Sequence, residues 1–418
     1  MIKHFARDEL VGDSIMADIR LCSSADELRA AVTPIWHYFG RQPVDEQVHA
    51  LQRVMPPHRV HTAWEDGGIV GAAGSFPFDL TVPGGHISAA GITIVAVLPT
   101  HRRRGILRQL MRAQLAACRE RGEPLAYLWA AEDTIYNRFG FGLASLSADI
   151  DLQRDRSTFY KSLQPPVGAT LLSLKDAQAQ IAPLYECVAQ ATPGMFARTP
   201  DWWQVRTLAD PQWRRGNAGE LQCVVLELDG GAFAYALYRI TPSFDRGVQT
   251  GTIQVVEAIG TSPKATHAIW RYLFDIDWMA RVTASLLPVD HPLLLLSAEP
   301  RRLRFTMRDG VWVRLVDVGA ALSARSYAPG NPVVVEVCDE FCTWNNGRWW
   351  IGADRIERTA EPADIRCSAD VLGSAYLGGF TWTRLSQALR LEELTPDAAE
   401  RADSIFLHRS APWCPEIF

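Results

Sequence analysis

The part of this chain best equipped for chemistry runs Ile92-Thr93-Ile94-Val95-Ala96-Val97-Leu98-Pro99-Thr100-His101-Arg102-Arg103-Arg104-Gly105-Ile106-Leu107-Arg108. An apolar, β-branched run is broken by a proline and a basic turn, and the pattern resumes with helical spacing after Gly105. The first turn of a helix presents backbone N–H groups without intrahelical partners, together with a partial positive charge, so it attracts phosphate. Gly105 removes a side chain where a pyrophosphate would approach the backbone. Arg102, Arg103 and Arg104 can add charge-assisted hydrogen bonds. The plain alternative is a solvated charge run; the glycine and helix start directly behind it favour the anion site. A nucleic-acid patch is disfavoured, because no aromatic residues interleave the arginines.

Other residues offer less. Tyr136 taken alone reads as a packing tyrosine, and His101 as structural. Asp290-His291-Pro292 would suit a hydrolase pair, but the chain has no Gly-x-Ser-x-Gly turn to supply a nucleophile. Glu257 lies in an apolar strand, as a buried polar group or as a residue near a substrate.

The elements that must position these residues follow from periodicity and turn signals. Glu27–Phe39 suits a helix that Pro34 should kink or split. Ile69–Asp79 and His86–Leu98 read as strands joined by Pro83-Gly84-Gly85. A helix from Arg104 to about Glu120 carries the stripe Leu107, Leu110, Met111, Leu115 and Cys118. A strand at Leu125–Ala130 precedes a helical turn, Thr134–Phe139, closed by Gly140. An α/β rhythm returns further on, with a helix at Asp176–Gln190, strands at Cys223–Glu227, Phe233–Ile240 and Thr252–Glu257, and a helix at Lys264–Met279. The last third has strands at Val333–Cys338 and Arg348–Gly352 around a Trp344–Gly347 turn. Helices at Ser368–Leu377, Trp382–Ala388 and Asp397–Phe406 complete it. The fold class is α/β (α+β).

At 418 residues the chain exceeds one ordinary core. Polar or Pro-bounded stretches at 151–166 and 288–300 suggest limits at 1–155, 156–300 and 301–418, with residues 1–16 a floppy extension. Eight scattered cysteines complete no zinc pattern, so no metal is expected and the thiols read as reduced cytosolic packing groups. A net charge of −5 disfavours nucleic acid as main partner and mildly favours a cationic substrate. The start has no apolar signal segment, and no run is long enough to span a membrane.

The Arg-x-x-Gly pattern opening a helix after Val95-Ala96-Val97 resembles the acyl-CoA signature of the GNAT acetyltransferases. Ile135-Tyr136-Asn137-Arg138-Phe139-Gly140-Phe141 resembles their second signature, Tyr-x-x-x-Gly-Phe. A narrower resemblance is to the Eis acetyltransferases of actinobacteria. It is carried by Val95-Ala96-Val97, Pro99–Gly105 and Ile135-Tyr136, by Tyr235-Ala236-Leu237-Tyr238-Arg239 and Asp309-Gly310-Val311-Trp312-Val313-Arg314, and by Asp370–Gly378.

That resemblance spans nearly the whole chain. It implies a GNAT domain, a degenerate GNAT-like domain and a sterol-carrier-protein-like domain, assembled as a homohexamer. The implied activity is transfer of acetyl from acetyl-CoA to small amine acceptors of polyamine or aminoglycoside type. Protein-lysine acetylation, or apolar-ligand binding through the last domain, are the alternatives. By the same resemblance Val95, Ala96, Val97, Arg102, Arg103, Arg104, Gly105, Ile106, Leu107, Arg108, Ala131 and Glu132 hold acetyl-CoA. The Val95 N–H would polarise the thioester carbonyl, Tyr136 would be the proton donor, and the α-carboxylate of Phe418 the proton acceptor. Family members often carry Glu directly before the final Phe; here Ile417 stands there and Glu416 one step back. The expected location is cytoplasmic, with secretion lacking a signal peptide as the variant case.

Overall fold

A computed structural model describes residues 17–161, 168–228 and 231–418. The expected extension at 1–16, and part of the first expected boundary, lie outside those residues. The chain forms two compact units. The first takes the residues up to Phe76 together with Ile92–Ala117, and the second takes Pro77–Gly91 with Cys118–Phe418.

In the first unit, strands Asp18–Leu21 and Val60–Glu65 pair antiparallel, and Val60–Glu65 pairs in turn with Gly68–Gly74. The helix Ala25–Tyr38 starts on Ser24, whose hydroxyl accepts the Glu27 N–H, while Glu27 reaches back to the Ser23 N–H at 2.6 Å. This helix runs through Pro34 without the split that was one of the two outcomes expected from sequence. Pro34 is buried with Leu28, Ala31 and Val32, so packing offsets the missing hydrogen bond. The helix Ile106–Glu120 begins two residues later than expected, because Arg103 and Gly105 both have positive φ. Ile106 takes the innermost place in its first turn and Leu107 only a partly buried one. Ile106 and Leu110 pack with Ala17, Ala63, Val70 and Ala73. Gln114 is a buried polar group on the same helix, bonded to His61 Nδ1 at 2.6 Å and Ser75 Oγ at 2.8 Å.

In the second unit, Ala89–Gly91 run parallel to Leu125–Trp129. Leu125–Trp129 pairs antiparallel with Val311–Leu315, which also pairs with Gly142–Leu143. A strand from beyond residue 300 thus completes a sheet begun before residue 130. A second sheet has seven strands in the order Thr306–Asp309, Leu146–Gln153, Met279–Pro288, Gly251–Gly260, Gly231–Thr241, Gln222–Leu228 and Ala169–Leu172. Its one parallel pair, Gly251–Gly260 beside Met279–Pro288, is joined by the helix Pro263–Asp275. That helix was expected to reach Met279. Instead Ile276 turns extended, Trp278 takes φ 66°, and Met279 opens a strand that the periodicity did not reveal. Val282, Ala284 and Leu287 of this strand enter the core beside Trp270 and Phe274.

A five-stranded sheet follows, ordered Ile356–Thr359, Gly347–Ile351, Val333–Cys338, Ile365–Ser368 and Leu391–Glu393. Helices Val318–Ala324, Ala369–Tyr376, Trp382–Gln387 and Ala398–Phe406 accompany it. The buried pair Arg314–Asp339, at 2.5 Å, ties Val311–Leu315 to the loop after Val333–Cys338.

Candidate active site

The strand Gly85–Val97 carries one backbone outlier, Ile94 at φ 49°. A β-branched residue in the left-handed region is strained, and such a kink re-aims the amides that follow it. The strain is held by packing. A Cβ on Gly74 would lie 2.9 Å from Ile94 Cδ1, so the glycine makes room for this side chain. Directly behind the kink come Val95, Ala96 and Val97. Ala96 is buried, and Val95, Val97 and Leu98 pack against the Ile106–Leu110 cluster. The Tyr38 hydroxyl donates to the Val97 carbonyl at 2.9 Å, and the Leu98 N–H donates to Val70 at 2.8 Å.

After Pro99–His101 the chain turns on two left-handed residues, Arg103 at φ 62° and Gly105 at φ 76°. Arg102, Arg103, Gly105 and Arg108 are exposed. Around Gly105 a side chain would meet only Gln109 Nε2, at 4.0 Å. This exposed, positively charged helix start fits a pyrophosphate, and the glycine is required by its φ as much as by the room it leaves. The three arginines do not all face the same way. Arg104 pairs with the buried Glu65 carboxylate at 2.8 Å, and His101 stands 3.6 Å from the same oxygen, a structural role for both.

In the second unit Ala131 and Glu132 are exposed, just ahead of the short helix Asp133–Tyr136. The turn Asn137–Phe139 follows and ends on Gly140 at φ 81°, the left-handed cap expected from sequence. Tyr136 is buried, its ring edge-on to Phe141 at 6.0 Å. Burial, and secondarily the Glu132 carboxylate, push its phenol up to about 12. Tyr136 therefore keeps its proton at neutral pH. A departing thiol has a reference value of about 8.5, so complete proton transfer would be uphill by about 5 kcal/mol. A hydrogen bond that strengthens as charge builds on sulfur is the chemistry this phenol can supply.

The segment 411–418 is threaded through the second unit. Ala411 N–H donates to Asp290 at 2.9 Å, Trp413 N–H to Pro193 at 2.8 Å and Trp413 Nε1 to Leu286 at 2.5 Å. Trp129 Nε1 donates to the Glu416 carbonyl at 2.9 Å. The Glu416 carboxylate accepts from Trp202 Nε1 at 2.9 Å and pairs with Arg198 at 3.0 Å. The Phe418 ring then sits among Tyr127, Phe78 and Phe196, with centroids at 4.8, 5.1 and 6.1 Å. Gly91 borders the same cluster: a Cβ there would come 2.1 Å from Phe78 Cε2 and 3.2 Å from Phe418 Cε2.

Glu257 proves to be a buried polar group. It accepts two hydrogen bonds from Arg198, at 3.0 and 2.6 Å, and one from the Tyr235 hydroxyl at 2.6 Å. Arg198 also lies over the rings of Tyr185 and Trp203. This set, and Tyr127 beside Phe418, went unread in the sequence. Their partners are tens to hundreds of positions apart, and no spacing rule joins them. Among the described residues no group of His, Cys, Asp and Glu could hold a metal ion.

Three family models match the chain. Residues 19–144 and 194–315 each match an acetyltransferase (GNAT) domain, and residues 318–415 match a sterol carrier protein domain. An N-acetyltransferase of Streptomyces avermitilis, described as uncharacterized, is 40% identical over 413 residues, covering 96% of this chain and 99% of the relative. N-acetyltransferase Eis of Mycobacterium tuberculosis is 33% identical over 353 residues, covering 81% and 83%. The crystal structure of Eis1 from Mycobacterium abscessus superposes with a TM-score of 0.83 at 34% identity, over 96% of this chain and all of that one. The fold is thus two GNAT domains followed by a sterol-carrier-like domain, and GNAT domains take their acetyl group from acetyl-CoA. The chain belongs to the Eis-like GNAT N-acetyltransferases.

Proposed function

We propose that the enzyme acetylates amines of small polyamine- or aminoglycoside-type acceptors by direct attack, with the Phe418 α-carboxylate as proton acceptor and Tyr136 as proton donor. The observation that carries this reading is the anchoring of 411–418. Glu416 and Ile417 are held by Trp129, Trp202, Arg198 and Arg206, and the Phe418 ring is seated among Phe78, Tyr127 and Phe196. A side-chain cluster of this kind is needed to hold a main-chain carboxylate in place against the fraying normal at a terminus.

Acetyl-CoA supplies the activated thioester. Its holding falls to Arg102, Arg103, Gly105, Ile106, Leu107 and Arg108 at the phosphate turn, to Val95, Ala96 and Val97 along the strand, and to Ala131 and Glu132, with Arg104 shared with Glu65. The Val95 N–H, re-aimed by the kink at Ile94, polarises the carbonyl. The Phe418 carboxylate, with a reference value of about 3.5, holds and orients the ammonium and takes its proton as the amine attacks the thioester carbon. Tyr136 donates to the sulfur. The same reading includes domain limits near 155 and 300, a homohexamer and a cytoplasmic location. Among the described residues no helix is long and apolar enough to cross a membrane.

Thiol release from acetyl-CoA tests the acceptor class. A polyamine, an aminoglycoside and a lysine peptide are compared at equal amine concentration. Release with the small amines and not with the peptide supports the reading. Release confined to the peptide shifts it to protein lysine. An apolar-ligand role is favoured by the sterol-carrier-domain match at 318–415; it gains the lead if no acceptor responds and lipid copurifies.

A further inference from the structure

Within the second unit lies a pocket of about 350 Å³ that none of the acetyl-transfer roles uses. Its wall carries four guanidinium groups, Arg198, Arg206, Arg214 and Arg239, against two carboxylates, Glu257 and Glu416. Arg198 takes Glu257 and Glu416, and Arg239 takes Asp210 at 2.6 Å. Arg206 donates to the Ile417 carbonyl at 3.1 Å and lies over the Trp202 ring.

Arg214 differs from these. Its hydrogen bonds go to the carbonyls of Arg206 and Ala209, while the Glu416 and Asp210 carboxylates act on it by charge without a direct ion pair among the described residues. Burial, and next to it the neighbouring Arg206, push its guanidinium down to about 10. Gathering like charges beside partly buried space is costly unless something negative enters it. Leu237, Val256 and Leu286 supply an apolar side to the same pocket.

We infer that this pocket is a binding site for a small oxyanion, a carboxylate or phosphate group carried on a compact body, with Arg214 as its principal ligand. Guanidinium groups match both head groups through paired N–H donors. Pro415, Glu416 and Ile417 form part of the wall, so an occupant touches the segment that ends at Phe418. The site does not depend on which amine the enzyme acetylates.

The test is calorimetric titration of the full-length protein with inorganic phosphate and, separately, octanoate. Wild type, Arg214→Gln and the exposed Arg355→Gln are compared, with thermal unfolding as the check on folding and saturating coenzyme A present throughout to fill the turn at 102–105. The expected result is saturable binding of at least one probe, weakened roughly tenfold or more by Arg214→Gln and unchanged by Arg355→Gln. Tighter binding of octanoate assigns the anion to an acyl carboxylate, and tighter binding of phosphate to a phosphate group. If Arg214→Gln does not fold, Arg214→Lys replaces it, and weakened binding is again expected. Binding of neither probe, or binding untouched by the Arg214 substitutions, overturns the proposal. So does binding seen only when coenzyme A is left out, which would put the anion on the turn after Gly85–Val97.

Discussion

The ring of Tyr127 lies 4.8 Å from that of Phe418, and the Tyr127 hydroxyl is fully buried without a hydrogen-bond partner among the described residues. A buried, unsatisfied hydroxyl costs free energy that an apolar ring of the same shape does not. Tyr127→Phe is therefore expected to keep or raise the urea midpoint, by the equivalent of about 1 kcal/mol. A loss of more than that would mean the hydroxyl already has a partner within the fold.

Arg198 and Glu257 form a buried ion pair of the second unit, with side chains 1% and 4% exposed. Although burial pulls the Arg198 guanidinium down, Glu257, Tyr185 and Glu416 hold it well above its ordinary value. Glu257→Leu strips the buried guanidinium of two charge-assisted hydrogen bonds, strands the Tyr235 hydroxyl and leaves Glu416 as the counter-charge of Arg198, so it is expected to cost about 3 kcal/mol in denaturant unfolding. The double variant Arg198→Met/Glu257→Leu should recover only part of that loss, because Glu416 then keeps Trp202 and Thr207 without its arginine. A single variant as stable as wild type would contradict the assignment.

With its phenol near 12, Tyr136 remains a donor across the range where a free tyrosine would lose its proton. The donor form is complete below the raised value and is lost only as pH rises through about 12. The rate of acetyl transfer should therefore show no fall centred near 10 that Tyr136→Phe abolishes. Tyr136→Phe itself should lower kcat by about 10²–10⁴. A wild-type alkaline limb near 10 that disappears in this variant would contradict the burial argument.

The strand, turn and helix around Gly105 were legible because their signals are local: a β-branched strand, a proline, a basic turn and Gly105 within one stretch of chain. The cap at Gly140 was legible for the same reason. What escaped is non-local. Val311–Leu315 belongs beside Leu125–Trp129, some 180 positions earlier, and nothing in its own five residues says so. The helix ending at Asp275 was overrun because Ile276, Trp278 and Met279 continue an apolar pattern that suits helix and strand alike. At Pro34 the split, one of the two expected outcomes, does not occur, because Leu28, Ala31 and Val32 bury that face of the helix. At the site, the departure at Ile417 left the role of Glu416 open. The fold gives that carboxylate to Arg198 and Trp202, where it anchors the segment.

The central claim is that the Phe418 carboxylate takes part in acetyl transfer, and deleting that single residue tests it most directly. Thiol release would be followed with a polyamine or aminoglycoside acceptor for wild type and for the chain ending at Ile417, with acetyl-CoA binding measured in parallel. The expected result is a loss of about 10²–10⁴ in rate with acetyl-CoA affinity unchanged. An undiminished rate in the shortened chain would contradict the role of the carboxylate.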